Sequence, residues 1–464
     1  MKCRHFVAWL LFLSTVCSVS TAREEEMSDP YRKTARQLLG QGLEQLWAFH
    51  ALSDLVTTAP HRLAGSPGEK RAVEWAVASM EKLGFENVHR EAVDVPHWER
   101  GETENLVVLS TPDEPPVTLN VAALGGSVGT MPLEAEVLRV TSFEELEEKK
   151  EQARDRMVFF DTPMPRNLRN TFRGYGAVAK YRVWGAREAA KAGAVAVLVR
   201  SITTREDDTP HTGIMLYRDA PSKIPAVSLG FQSADRLAKL LKEAPNTVLR
   251  LELSAQDHDT TTSYNVVGEW KGAEKPEEVV VLAGHLDGWD VGQGAHDDGA
   301  GCVQALEALR LLMQTVERPK RTLRVVLYMN EEFGGSGGED YVKAEERKGE
   351  THISAIESDR GGFVPVRFSV YGDEARARRF DCWTSLMAEV GLREFAPGGS
   401  GVDVGPLEKI GTVTLGLVSD SQRYFDVHHS DNDVLGEVNP RELELGAIAM
   451  ALLGYLIAQE GVPQ

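Results

Sequence analysis

Apolar positions recur along this chain at two distinct periods. Val73, Ala76, Val77, Met80 and Leu83 fall at i, i+3, i+4, i+7 and i+10 and stop at Gly84, which predicts a helix entered from the turn Ala64-Gly65-Ser66-Pro67-Gly68. Beyond about residue 112 short apolar runs alternate with small-residue helices. They are Met157 to Phe160, a helix over Trp184 to Ala192 closed by Gly193, Ala194 to Val199, Ile224 to Leu229, and a helix opened by Ser233. After Asp257 the order becomes strand, turn, helix, strand. It comprises Val279 to Ala283, a helix near Gly301 to Leu312, Leu323 to Met329, Ile353 to Ile356, Arg367 to Tyr371 and Val413 to Leu417, with a closing helix from about Leu443 to Leu456. Strands that are apolar throughout, separated by helices, are covered on both faces. The expected fold class is therefore α/β, a mixed, largely parallel sheet flanked by helices.

The first residues follow another logic. Lys2 and Arg4, an apolar run from Phe6 to Leu13 and the small residues Ser20-Thr21-Ala22 together predict a secretory signal peptide over residues 1–22, hence a secreted or periplasmic protein, or one on the lysosomal route. The run breaks at Ser14 and Thr15, too early for an anchor, and no later stretch is expected to be long and apolar enough to span a bilayer. Residues 23–44 are charged and polar and form a candidate pro-segment.

At 464 residues the chain exceeds what one core usually supports, so two folded units are expected. Boundaries fall at residues 45–112 for a first part of a catalytic domain, 113–257 for an insert, and 258–464 for the second part. Fifty-one Lys and Arg against 70 Asp and Glu give a net charge of −19, which repels phosphate backbones and excludes nucleic acid as a partner. Outside the signal only Cys302 and Cys382 remain, too few for a disulfide framework.

Chemistry gathers at the predicted strand ends. The strand Val279 to Ala283 runs into Gly284-His285-Leu286-Asp287, where a carboxylate two residues on can accept the second imidazole N–H and set which nitrogen faces a metal. Asp297-Asp298 follows, then Glu331-Glu332 directly after Leu323 to Met329, then Asp359 after Ile353 to Ile356, then His428-His429-Ser430. Carboxylates so crowded at the carboxyl edge of a sheet repel and lose hydration unless cations neutralise them. Two Zn²⁺ supply +4 against Asp297, Glu332, Asp359 and one hydroxide. If Asp297 bridges, one zinc takes His285 and Asp359 and the other takes Glu332 and His429. Glu331, beside a ligand without being one, is left as general base.

In this order the motifs His285-x-Asp287, Asp297-Asp298-x-x-Gly301, Glu331-Glu332, Asp359 and His429-Ser430 resemble those of the co-catalytic di-zinc exopeptidases, which include bacterial leucyl aminopeptidases and glutamate carboxypeptidases. The resemblance runs from about residue 45 to 464. It implies the ligand roles above, selects His429 over His428 because the family's His precedes Ser or Thr, and implies a cis bond at Asp297-Asp298, dipeptide or short-peptide substrates and a homodimer. Ala192-Gly193-Ala194 and Ile224 to Val227 resemble marks of a protease-associated domain inserted at 113–257. Arg360, Arg423 and Tyr424 lie next to motif residues and are candidates for holding a substrate carboxylate, though flanking arginines are more often structural; the resemblance implies carboxypeptidase or dipeptidase action, with aminopeptidase action as the alternative. A non-catalytic relative is disfavoured by the complete ligand set. A nucleotide site at Gly334 to Gly338 is disfavoured by the preceding glutamates and the missing Lys.

Overall fold

A computed structural model describes residues 31–109, 116–344 and 347–464. The expected signal peptide lies outside the described residues. Two eight-stranded sheets organise the chain. The first runs Glu86–Glu99, Gln256–Trp270, Arg321–Tyr328, Lys275–His285, Thr351–Ser358, Val413–Ser419, Pro365–Val370, Phe395–Pro397. Its four central strands, from Arg321–Tyr328 to Val413–Ser419, are parallel, and antiparallel strands flank them on both sides.

The uninterrupted apolar runs follow from cover on both faces. Val280, Leu282, Leu323, Val325 and Leu327 pack into the largest core with the helices Ala300–Thr315 and Pro440–Glu460. Their neighbours Val279, Val281, Ala283, Val326 and Tyr328 point the other way, against Tyr341, Val404 and Leu407. Alternation along each strand thus serves two cores. Gly301 permits the closest approach: a Cβ there would stand 1.9 Å from the Ser358 carbonyl, so only glycine lets the helix start press on the neighbouring strand end.

The helix Pro67–Leu83 has Ser66 as N-cap, accepting from the Glu69 N–H, and Gly84 as a left-handed C-cap. Two findings depart from the sequence pattern. Residues 31–45 are helical, with Ala35 and Leu38 fully buried in the main core, so removal of residues 31–44 would strip those side chains from it. The helix Pro440–Glu460 is long and apolar enough, by length and composition, to cross a membrane, contrary to the expectation that no such stretch follows the signal. Most of this helix is buried, and its apolar surface packs into the main core.

The second sheet runs Val117–Leu119, Glu104–Leu109, Val248–Leu253, Thr130–Val140, Met157–Phe160, Ala196–Arg200, Ala226–Leu229, Val121–Ala123. Its first strand, Glu104–Leu109, lies ahead of residue 113. The chain crosses between the sheets there and again between Leu253 and Gln256. Val158, Phe160, Val197 and Val199 face one core, and Met157, Phe159, Ala196 and Leu198 face the other.

Candidate metal centre

The carboxyl ends of the central parallel strands deliver His285, Glu331-Glu332 and Asp359 to one edge, and two loops bring Asp297 and His429 against them. Asp297 divides its oxygens between two imidazoles: Oδ1 lies 3.3 Å from His285 Nε2 and Oδ2 lies 3.3 Å from His429 Nε2. His285 Nε2 also stands 3.5 Å from Asp359, and His429 Nε2 3.1 Å from Glu332. Ligand atoms bound at about 2.0–2.1 Å in a tetrahedron lie roughly 3.3–3.4 Å apart. The observed separations, 3.1–3.5 Å, lie around that value and exceed the ~2.7–2.9 Å of charge-assisted hydrogen bonds.

His428 stacks on His429 with ring centroids 3.5 Å apart, and its Nε2 is 3.7 Å from Asp297 Oδ2. Asp297, His428 and His429 therefore form one convergent triad and His285, Asp297 and Asp359 another. Of the two adjacent histidines, His429 is the one in contact with Glu332. The bond between Asp297 and Asp298 is cis.

Buried hydrogen bonds hold these groups in place. Asp287 receives the Glu331 N–H at 3.1 Å and the Glu332 N–H at 3.3 Å, one on each oxygen. The Nδ1 of His285 meets the Asp287 main-chain oxygen at 3.2 Å, ahead of its carboxylate at 3.6 Å. Asp287 thus ties two strand ends together besides flanking the imidazole. Asp298 accepts the N–H groups of His285 and Gly301, both at 2.9 Å.

Several supporting residues escaped sequence reasoning. Asp433 accepts the N–H groups of His296 and Asp297 at 2.7 and 3.0 Å; in the sequence it follows Ser430-Asp431-Asn432, and these polar neighbours hide it. Trp289 donates its indole N–H to Glu332 Oε2 at 2.5 Å. Arg62, almost wholly buried, donates to the carbonyls of Leu286, Gln293 and Gly294 and so pins the loop between His285 and Asp297. From the second sheet's unit, Arg182 Nη1 and the Thr212 carbonyl reach Nδ1 of His429. No sequence signal marks either.

Burial pushes the carboxyls of Glu331, Glu332 and Asp359 above their ordinary range, and neighbouring carboxylates add to the push. Burial acts on Asp297 in the same sense, but His285 and His429 overcome it and hold that carboxyl well below its usual value. Glu332 Oε1 is buried without a hydrogen-bond partner. Crowded carboxylates, an orphaned oxygen and imidazole nitrogens at ligand-edge distances fit a cation-binding centre.

Of the residues expected to hold a carboxylate, Arg360 lies over the Phe172 ring and borders a cavity of about 330 Å³ shared with Asp359, Glu357 and Ser400. Tyr424 donates its hydroxyl to Asp297 Oδ2 at 3.3 Å. Arg423 instead pairs with Glu442 at 2.5 Å and covers Phe363, a structural engagement.

Comparison with known proteins agrees with this geometry. A sequence profile for peptidase family M28 matches residues 265–453. Carboxypeptidase Q of Mus musculus is 36% identical over 450 residues, covering 95% of this chain and 93% of its own. Carboxypeptidase Q of Homo sapiens is 36% identical over 420 residues, covering 90% and 86%. The crystal structure of a peptidase M28 precursor from Shewanella amazonensis superposes with a TM-score of 0.88 at 35% identity, over 94% of this chain and 98% of that one. The chain belongs to peptidase family M28 and is a metallo-exopeptidase.

Proposed function

We propose that this protein is a secreted exopeptidase that cleaves dipeptides or short peptides with two zinc ions per chain. His285 and Asp359 would hold one zinc, Glu332 and His429 the other, and Asp297 both. The observation that carries the proposal is the division of Asp297's two oxygens between His285 and His429, each at 3.3 Å. Bound zinc supplies Lewis acidity toward a peptide carbonyl and lowers the pKa of water.

Glu331 acts as general base. It adjoins Glu332, and burial among carboxylates raises its pKa, in the sense that favours holding a proton. Its carboxylate takes the proton from the attacking water and passes it to the departing amine. Asp287 fixes the backbone of both glutamates through their N–H groups. The second sheet forms the inserted protease-associated domain and frames the cleft without supplying a metal ligand.

Carboxypeptidase or dipeptidase action is favoured by Arg360, whose guanidinium borders the cavity beside Asp359 and suits a terminal carboxylate. Incubation with a free dipeptide, its N-blocked form and its C-amidated form tests the direction. Cleavage that survives N-blocking and fails on C-amidation supports carboxypeptidase action, and loss of cleavage on both modifications supports dipeptidase action. Loss on N-blocking alone assigns an aminopeptidase. The homodimer is part of the same proposal, and sedimentation measures it directly.

A further inference from the structure

A second histidine-carboxylate cluster stands apart from the metal centre, on the long antiparallel pair that carries the chain toward the second sheet. His97 and His258 are directly opposed across the strands Glu86–Glu99 and Gln256–Trp270, and Glu99 follows two residues after His97 on the same face. A one-residue register shift between Val95 and His97 sets this opposition. The two rings stack at 4.5 Å, and both direct Nε2 at the same carboxylate: His97 lies 3.2 Å from Glu99 Oε1, and His258 lies 3.3 Å from Oε2.

We propose that His97, Glu99 and His258 bind a divalent transition ion of the zinc class, clamping the two strands where they leave the first sheet. Three donors of two types that zinc accepts, two imidazole nitrogens and a carboxylate oxygen, converge with all ligand atoms within 4.8 Å of one another. The nitrogen-oxygen separations, 3.2 Å to Oε1 and 3.3 Å to Oε2, are long for imidazolium-carboxylate hydrogen bonds. Nearby cations are engaged elsewhere: Lys223 pairs with Asp257 at 2.6 Å, and Arg100 with Asp290 and Glu104. Among the described residues no Lys or Arg forms a salt bridge with Glu99, so its charge is free to meet a metal. The groups are partly exposed, which leaves the remaining coordination positions to water and makes the site weaker than the buried centre.

Zinc titrated into the metal-replete protein, followed by calorimetry, tests the assignment. The native chain takes up one more ion per chain than His258→Ala, while the two hydrolyse peptide at equal rates because no group of this cluster enters the catalytic centre. Glu99→Gln, which keeps both imidazoles, weakens that additional site at least tenfold. Equal uptake by the native chain and both variants overturns the proposal and leaves a simple histidine-glutamate pair.

Discussion

The carbonyl oxygen of Thr212 lies 3.3 Å from Nδ1 of His429. If Nε2, turned toward Asp297 and Glu332, ligates a metal, the proton of a neutral His429 sits on Nδ1, within reach of that carbonyl and of Arg182 Nη1 at 3.4 Å. Thr212 belongs to the unit built on the second sheet, so that unit touches an imidazole of the candidate metal centre.

Arg182 tests what this contact contributes. Its Nη1 donates to the Thr212 carbonyl at 3.3 Å and its Nη2 to the Tyr175 hydroxyl at 2.7 Å. Arg182→Met roughly keeps the buried volume and removes both hydrogen bonds together with the 3.4 Å contact of Nη1 to His429 Nδ1. Metal affinity should fall about 10–100-fold with the fold retained, as for other partners behind a ligand. Unchanged zinc affinity in a chelator competition would show that His429 is held by its own loop alone.

The adjacent glutamates should separate by chemistry. Glu331→Gln preserves shape but accepts no proton, so it keeps bound zinc and loses at least ~10²–10⁴-fold in turnover. Glu332→Gln replaces a carboxylate ligand with an amide and should lose metal first. Near-normal turnover in the Glu331 variant would mean the two roles are exchanged.

Stoichiometry follows from the shared carboxylate. Elemental analysis of the active His258→Ala protein should find about two zinc ions per chain at the catalytic edge. Dialysis against a strong chelator should abolish hydrolysis, and added zinc should restore it. One zinc at full activity would exclude Asp297 as a bridge.

Glu444 provides a pH-dependent test far from the metal centre. It is fully buried, accepts the Ala48 N–H at 3.1 Å, and burial followed by the nearby Glu307 raises its pKa to about 9. The folded state therefore keeps a proton that the unfolded chain releases near pH 4.5. The resulting stabilisation is complete below that pH and is lost as pH rises toward about 9, at up to about 1.4 kcal/mol per pH unit from this group. Glu444→Gln, neutral at every pH, should flatten this decline in urea denaturation. A decline of the same slope in the variant would assign it to other groups.

Much of this protein was legible in one dimension because local physics wrote it there. Uninterrupted apolar runs such as Val279 to Ala283 announced strands covered on both faces, and the polar groups after them had to sit at strand ends. That is why His285, Glu331, Glu332 and Asp359 could be named from spacing, and why crowded carboxylates implied cations. The long pair Glu86–Glu99 and Gln256–Trp270 was missed because its apolar periodicity is broken and its pairing spans the entire second sheet. Only the tertiary structure brought Thr212 and Arg182 onto His429, Trp289 onto Glu332, Arg62 onto three loop carbonyls, and His97 opposite His258. Those contacts join residues far apart in the chain through backbone oxygens, indole and guanidinium groups that carry no periodic signal, so they arise only once two sheets have folded and docked.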